Sequence, residues 1–135
     1  MSYNLVEKKL KANGVVILDG GNGGELESSG AKMDKDLWAG KCAIDDPDKM
    51  LQVHEKYINA GADIITTSNY QATPELLKRE PSAPPYEELA KRALELCQEA
   101  VIETNTNTKI AGCYPPIHVT FRPDLSPKEK VLRKF

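Results

Sequence analysis

One carboxylate, Asp19, stands where a run of apolar residues meets a glycine-rich bend. Residues 15–18 are four consecutive apolar β-formers, a pattern typical of a parallel strand that is covered on both faces. Asp19, Gly20 and Gly21 follow directly. Parallel α/β folds place their chemistry where strands end, because loops converge there on a rigid sheet. Asp19 is therefore the first candidate for a ligand-binding side chain, beside glycines that let a ligand approach the backbone.

Two phosphate-binding interpretations of the same glycines fit poorly. A dinucleotide-binding loop starting at Gly21 would need its third glycine where Leu26 stands, and no clear helix start is predicted behind it. A P-loop needs a lysine after its last glycine, whereas Glu25 follows Gly24. A small doubly wound nucleotide-binding protein is therefore disfavoured, and stabilisation by a nucleotide would support it.

The remaining reactive side chains predict neither a metal site nor a catalytic residue. Cys42, Cys97 and Cys113 are odd in number and widely spaced, which argues against a disulfide framework and a metal knuckle. His54 falls on a helix face, where a buried core histidine is more common than a catalyst. His118 has no Cys, His or acid at ligand spacing and is interpreted as a loop residue.

Strands and helices alternate along the chain. Apolar spacing predicts helices over residues 3–12, 47–60 and 86–103, and strands over residues 15–19, 62–67 and 109–113. Asp46 is the predicted N-cap of the second helix, before a proline. Residues 20–46 and 72–85 are predicted loops with helical turns near 25–28 and 75–78. Trp38, the only tryptophan, lies in the first loop, which is either functional or plain surface.

Composition is that of an ordinary globular domain without a nucleic-acid or membrane signature. The 135 residues are 40% hydrophobic and 28% charged, with 18 basic and 20 acidic side chains and no long block of one sign. No apolar stretch approaches the roughly 20 residues that span a bilayer, and the N-terminus lacks a signal-peptide core. These features predict a cytoplasmic protein whose partners are small molecules or other proteins.

Several sequence blocks occur in a fixed order. They are Ile-Leu-Asp-Gly-Gly at 17–21, Gly-Glu-Leu-Glu at 24–27, Leu-Trp at 37–38, Val-His at 53–54, Ala-Gly-Ala-Asp-Ile-Ile-Thr-Thr-Ser-Asn-Tyr-Gln-Ala-Thr at 60–73, Ile-Ala-Gly-Cys at 110–113, Pro-Pro at 115–116 and Phe-Arg-Pro-Asp-Leu at 121–125. From about residue 13 to 125, this pattern resembles the N-terminal part of the homocysteine S-methyltransferase family. Ordered blocks separated by the expected elements are a stronger signal than one motif.

The resemblance implies a (β/α)8 barrel, of which this chain carries about the first three βα units. It also implies a zinc cofactor and methyl transfer to the sulfur of homocysteine, giving methionine. The donor would be a compound such as S-methylmethionine, S-adenosylmethionine or betaine. A metal bound to the sulfur makes the thiolate available at neutral pH. The family's three zinc-binding cysteines lie in segments that this sequence does not contain, and none of its own cysteines matches them.

The resemblance also implies six substrate-binding residues: Asp19, Gly20, Gly21, Thr67, Asn69 and Tyr70. Asp19 would meet the amino group of homocysteine through a charge-assisted contact. The two glycines would admit the ligand to the backbone, and the other three would line the pocket at the end of the second strand. The chain has Asn22-Gly23-Gly24 where the family often has Met-Gly-Thr, which predicts a softer loop.

A (β/α)8 barrel needs about 250 residues, so residues 1–135 are predicted to form a single truncated domain with a disordered tail at 126–135. Three parallel strands would leave two unpaired edges and an uncovered face, which favours self-association. Two hypotheses follow: the chain is the substrate-binding part of the enzyme, or it is a non-catalytic remnant or assembly piece without the zinc site.

Overall fold

The three predicted helices and two of the three predicted strands form in the predicted order, with further short helices between them. The structure, a computed structural model, describes residues 4–114, 116 and 124. Its elements are α1 (Asn4–Lys11), α2 (Asn22–Ser28), a 3-10 turn (Ala39–Lys41), α3 (Cys42–Asp45), α4 (Pro47–Asn59), β1 (Ile64–Thr66), α5 (Pro74–Leu77), α6 (Tyr86–Glu103) and β2 (Lys109–Ala111). The predicted tail at 126–135 and His118 lie outside the described residues.

The strands β1 and β2 pair in parallel, with Ile64 opposite Lys109 and Thr66 opposite Ala111. Residues 15–19, here called the edge segment, lie along the other side of β1 through an isolated parallel bridge between Leu18 and Ile64. The Asp19 N–H donates to the carbonyl oxygen of Ile64 at 2.9 Å. The carboxyl ends of the edge segment, β1 and β2 therefore meet at one edge, as the predicted βα alternation requires.

The prediction that residues 15–19 form a strand covered on both faces is wrong. One bridge replaces a ladder, and Val15, Ile17 and Leu18 are 73%, 52% and 57% exposed. An apolar run shows that side chains are suited to burial, but burial also requires elements that cover them. Among the described residues, the edge segment has a strand neighbour on one side only. The predicted strands at 62–67 and 109–113 are confirmed in shorter form as β1 and β2.

The core lies between the sheet and the helices α4 and α6. Met50 and Val53 of α4 pack with Ala93 and Leu96 of α6 in one buried cluster. Ile65 of β1 joins a second cluster that includes residues of both helices. The buried residues of α4 and α6 form the apolar stripes expected from a 3.6-residue period. These stripes hold β1 at the centre of the core.

The helix α2 begins directly behind Gly21, contrary to the prediction of no clear helix start there. Gly21 is its N-cap residue and forms no side-chain cap, so the usual Ser, Thr, Asp or Asn signal is missing. Leu26, at the position where a dinucleotide-binding loop needs its third glycine, is fully buried. The predicted turn at 25–28 is therefore the end of a longer helix.

The longest described helix, α6, has 18 residues and carries charged side chains on its outer face. Within residues 4–114, no helix is both long enough and apolar enough to cross a membrane.

Candidate functional site

A cleft of about 290 Å³ opens where the strands end. Its walls come from four places: the loop after the edge segment, the turn at residue 38, the end of β1 and the residues just after β2. The lining residues include Gly20, Asn22, Trp38, Thr67, Tyr70 and Cys113. Carboxyl ends of parallel strands are the usual place for binding sites in α/β folds. The cleft is therefore the candidate functional site.

A larger cavity, about 520 Å³, lies at the opposite ends of the strands. Two of its three lining lysines have partners: the Lys9 ammonium donates to both oxygens of Asp63 at 2.6–2.7 Å, and Lys109 donates to Asn107. Asp63 also accepts the Ile17 N–H at 2.8 Å. This cavity ties α1 to the amino ends of the strands, where parallel folds rarely bind substrates, and we interpret it as structural.

Asp19 is half-buried beside the cleft, and its two oxygens have different surroundings. Oδ2 accepts the Thr66 N–H at 2.8 Å and lies 3.0 Å from the Thr66 hydroxyl and 3.2 Å from the Asn22 side-chain nitrogen. Oδ1 has only a 3.2 Å contact with the same hydroxyl, whose single hydrogen points to one oxygen at a time. Asp19 is not itself a lining residue, but Gly20, Asn22 and Thr66 are. One oxygen fixes the carboxylate, and the other keeps acceptor capacity.

Asn22, which the sequence analysis did not single out as a site residue, lies next to this carboxylate. Its side-chain nitrogen donates to Asp19, while its Oδ1 is buried with no hydrogen-bond partner among the described residues. Exchanging the two amide atoms would place Oδ1 against the carboxylate, so the assigned orientation is the favourable one. This corner of the cleft therefore has two under-used acceptor oxygens.

Trp38 forms one wall of the cleft in an unusual backbone conformation. Its φ of 46° and ψ of −117° lie outside the regions that a bulky residue prefers. Such a conformation costs about 1–3 kcal/mol. A Cβ at Gly23 would lie 2.4 Å from the ring atom Cζ3, so only glycine permits this packing. The long loop at 20–46 is therefore part of the site, and its lone tryptophan was the sequence signal for it.

Of the polar residues after β1, Thr67 and Asn69 form hydrogen bonds within the fold, whereas Tyr70 is exposed at the cleft. The Thr67 hydroxyl donates to Asn69 Oδ1 at 2.7 Å and accepts the Cys113 N–H at 2.8 Å, while Asn69 donates to the Cys113 carbonyl at 3.1 Å. These bonds join the ends of β1 and β2. Thr67 lines the cleft from a buried position, whereas Asn69 is not a lining residue. Tyr70 lines the cleft and is 44% exposed.

The two predicted glycines have different environments. A Cβ at Gly20 would lie 2.8 Å from the hydroxyl oxygen of Tyr57, so Gly20 permits a close approach at the cleft wall. Burial, followed by the nearby carboxylates of Glu25 and Asp19, raises the pKa of Tyr57. Gly21 is exposed at the start of α2 and is not among the lining residues.

The cysteines do not assemble a zinc centre in the described part of the chain. Burial raises the pKa of Cys42 to about 11 and that of Cys97 to about 12, and it also raises the pKa of Cys113. Zinc is bound by thiolates, so these thiols would have to release a proton whose retention burial favours before they could bind it. No group of three His, Cys, Asp or Glu side chains within the described residues could hold a metal ion. The described residues therefore do not fit zinc.

His54 is a core histidine, as the sequence predicts. It is fully buried, and its Nε2 lies 3.4 Å from the Sγ of Cys97. Burial lowers the pKa of His54 to about 4, while the Asp19 carboxylate acts weakly in the opposite direction. The imidazole is therefore neutral at physiological pH and is held away from the cleft surface.

Comparison with known proteins identifies the family. The profile described as homocysteine S-methyltransferase matches residues 16–135. Homocysteine S-methyltransferase 4 of Zea mays is 42% identical over 91 residues, which are 67% of this chain and 27% of the maize protein. Homocysteine S-methyltransferase 1 of Arabidopsis thaliana is 41% identical over 91 residues, with 67% and 28% covered.

A solved structure gives the same result. The metallated form of the homocysteine methyltransferase MmuM from Escherichia coli superposes with a TM-score of 0.73 at 26% identity, covering 95% of this chain and 49% of that one. The chain thus spans about half of the solved structure and little more than a quarter of the plant relatives. On the profile match and these identities together, the chain belongs to the homocysteine S-methyltransferase family.

Proposed function

We propose that this chain is the homocysteine-binding part of a zinc-dependent methyltransferase built as a (β/α)8 barrel, of which it supplies about the first three βα units. The complete protein would transfer a methyl group from S-methylmethionine, S-adenosylmethionine or betaine to the homocysteine thiol, giving methionine in the cytoplasm. Zinc would supply the thiolate and would be held by residues beyond this chain. The observation that carries the proposal is the half-free carboxylate of Asp19 at the carboxyl ends of parallel strands.

The proposed binding mode follows from two acceptor oxygens, one beside the cleft and one in its wall. Asp19 Oδ1 has spare capacity, and Asn22 Oδ1 lacks a partner among the described residues. An α-ammonium group carries three donors and a positive charge, which suits such a corner. Trp38 and Tyr70 would cover the aliphatic carbons of the ligand, and Gly20 would leave room beside them. Thr67, Asn69 and Gly21 would keep these walls in place.

The amino group of the ligand provides the test. The chain is titrated with L-homocysteine and with 4-mercaptobutanoate, which has the same carbon chain and thiol but no amino group. We expect mercaptobutanoate to bind about tenfold more weakly, because it lacks the charge-assisted contact with Asp19. Emission from Trp38, the only tryptophan, and calorimetry would both report binding. Equal affinities for the two compounds would refute the ammonium contact.

The exposed edge segment supports a second candidate function, that of an assembly piece which associates with further copies. Val15, Ile17 and Leu18 present apolar side chains along a strand edge that has no partner among the described residues. Such edges pair readily with other chains. The alternative that the chain is a non-catalytic remnant would be consistent with this behaviour.

Self-association can be measured directly. We expect sedimentation to show a mass that rises with concentration, and Ile17→Lys to shift dissociation to at least about tenfold higher concentration, because a charged side chain disfavours edge pairing. Ile102→Lys is the matched control, since Ile102 is 74% exposed but lies on α6. A monomeric wild-type chain at all concentrations would exclude the assembly role without affecting homocysteine binding.

A further inference from the structure

The strained backbone of Trp38 is enclosed by a tight turn. The Asp34 N–H donates to the Trp38 carbonyl oxygen at 3.0 Å, which forms an isolated antiparallel bridge. The Asp34 side chain closes the same turn, because its Oδ1 accepts the N–H groups of Asp36 and Leu37 at 2.9 and 2.8 Å. The Leu37 N–H is the main cause, and Lys41 a lesser one, of a lowered pKa at Asp34. The turn therefore favours the ionised form of the Asp34 carboxyl.

A buried lysine meets this carboxylate from the other side. The Lys41 side chain is 9% exposed, and lysines are rarely so buried unless their charge is paired. Its Nζ lies 3.8 Å from Asp34 Oδ2 and 3.4 Å from Asp45 Oδ2, and it donates to the Ser82 hydroxyl at 3.2 Å. Lys41 thus connects the Trp38 turn to α3 and to the segment that precedes α6.

We propose that Asp34 and Lys41 are positioning residues for the cleft, whose ion pair holds the turn so that Trp38 keeps its strained backbone and its ring stays over Gly23. A strained conformation persists only where the surroundings over-determine it. Leu37 anchors the turn in the core from one side, and the ion pair anchors it from the other. Loss of the Asp34 charge leaves Lys41 paired with Asp45 alone, and loss of the Lys41 ammonium leaves the Asp34 and Asp45 carboxylates without it. In either case the turn is no longer anchored through Asp34, so it can move.

This inference rests on the proposed function for the identity of the ligand, but the position of the ring can be measured without one. Asp34→Asn keeps an oxygen that can accept the two turn N–H groups and removes only the charge. Lys41→Met keeps the aliphatic length and removes the ammonium. The matched controls are Asp36→Asn and Lys35→Met, which make the same changes at exposed positions of the same turn.

Fluorescence of the single tryptophan is the first measurement. Trp38 is now 38% exposed, so release of the ring should increase quenching by acrylamide about twofold and move its emission to longer wavelength. We expect this change in Asp34→Asn and Lys41→Met and in neither control. Gly23→Ala is the positive control, because its Cβ would displace the ring without touching the ion pair.

Stability and position are separated by the double variant Asp34→Asn/Lys41→Met. The double variant removes the Asp34 carboxylate that Lys41→Met leaves without its ammonium partner, so it should recover part of the thermal stability lost in Lys41→Met. The ring should nevertheless remain released, because the ion pair is absent. If acrylamide quenched the double variant only as much as wild type, the lower stability of the single variants, and not the loss of the ion pair, would explain their released ring. That result would overturn the proposal.

Binding of L-homocysteine is the second measurement. Its affinity should fall about threefold in both test variants and in neither control, as expected for loss of one aromatic wall. A released ring with unchanged affinity would overturn the positioning role. If the wild-type chain fails to bind L-homocysteine, the proposed function fails, whereas the quenching measurement still decides whether the ion pair holds Trp38. Unchanged quenching in both single variants would refute it.

Discussion

Asp19→Asn should leave the chain folded and lower its affinity for L-homocysteine about 50-fold. The three donor contacts at Asp19 Oδ2 come from Thr66 and Asn22 and can be accepted by the amide oxygen of asparagine. The amide NH₂ group then replaces Oδ1, the oxygen proposed for the ligand ammonium. This loss should exceed the tenfold loss expected for mercaptobutanoate. That compound merely lacks the ammonium group, whereas in Asp19→Asn the NH₂ dipole of the new amide faces the ligand ammonium and repels it.

Two further variants separate this role from that of a structural carboxylate. Asp63→Asn is the matched control: Asp63 also fixes the edge segment, through Ile17, but at the opposite ends of the strands. We expect it to leave the affinity for L-homocysteine unchanged. Asp19→Ala strands the donors of Thr66 and Asn22 and should lower the free energy of unfolding by about 2–3 kcal/mol. If Asp19→Asn binds L-homocysteine as wild type does, Asp19 is only structural. Calorimetric titration and urea unfolding provide both measurements.

The helices could be predicted because their signals are local. Pro47 occupies the first position of α4, and Gly61 follows the helix with a φ of 100°, a conformation that favours glycine. Asp46 is the N-cap residue as predicted, yet its side chain makes no cap and lies 3.4 Å from the Lys32 N–H instead. The position of the N-cap residue can thus be predicted from sequence. The hydrogen-bond partner of its side chain cannot, because that partner lies in a segment 14 residues away.

The burial of the edge segment could not be predicted for a related reason. Four apolar β-formers define what the side chains prefer, but the exposed fraction depends on what packs against them. Ile65 has the same chemistry as Ile17 and is fully buried, because α4 and α6 cover β1. The pattern correctly indicated a segment beside β1, but this segment forms one isolated bridge instead of a strand, and its apolar side chains are exposed.

The predicted site residues at Asp19 and at the end of β1 lie at the edge of the sheet where the cleft opens, because parallel strands align their carboxyl ends. That they bind a ligand stays a prediction. Trp38 and Asn22 were not predicted as lining residues, because a positive φ and an unpartnered amide oxygen arise from contacts distant in sequence. Lys41 gave no signal either, since a buried lysine is recognised only through Asp34 and its other partners.

Between pH 7.5 and 5, the chain should lose about 2 kcal/mol of its free energy of unfolding through His54. Burial lowers the pKa of His54 from 6.5 to about 4, and its Nδ1 has no partner among the described residues. In this pH window the unfolded chain binds a proton that the folded chain excludes, so the unfolded state gains stability as the pH falls. The stability that the neutral His54 provides is fully present above about pH 6.5 and is lost progressively as the pH falls toward 4.

His54→Gln isolates this contribution, because glutamine stays neutral and every other titrating group is retained. Urea unfolding at the two pH values should show a loss about 2 kcal/mol smaller in the variant than in wild type. The carboxyls of Asp34 and Asp63, whose pKa values are lowered, titrate mainly below this window and equally in both proteins. Equal losses would contradict the assignment.

A direct titration tests the same group if the variant folds poorly. In wild-type protein, the NMR signals of the His54 ring should stay in their neutral positions down to about pH 5 and move only near pH 4. Because His54 is fully buried and contacts Cys97 within the core, protonation should coincide with unfolding rather than precede it. A midpoint near 6.5 in the folded chain would mean that water reaches the imidazole, and the packing of α4 against α6 would then be looser than the structure indicates.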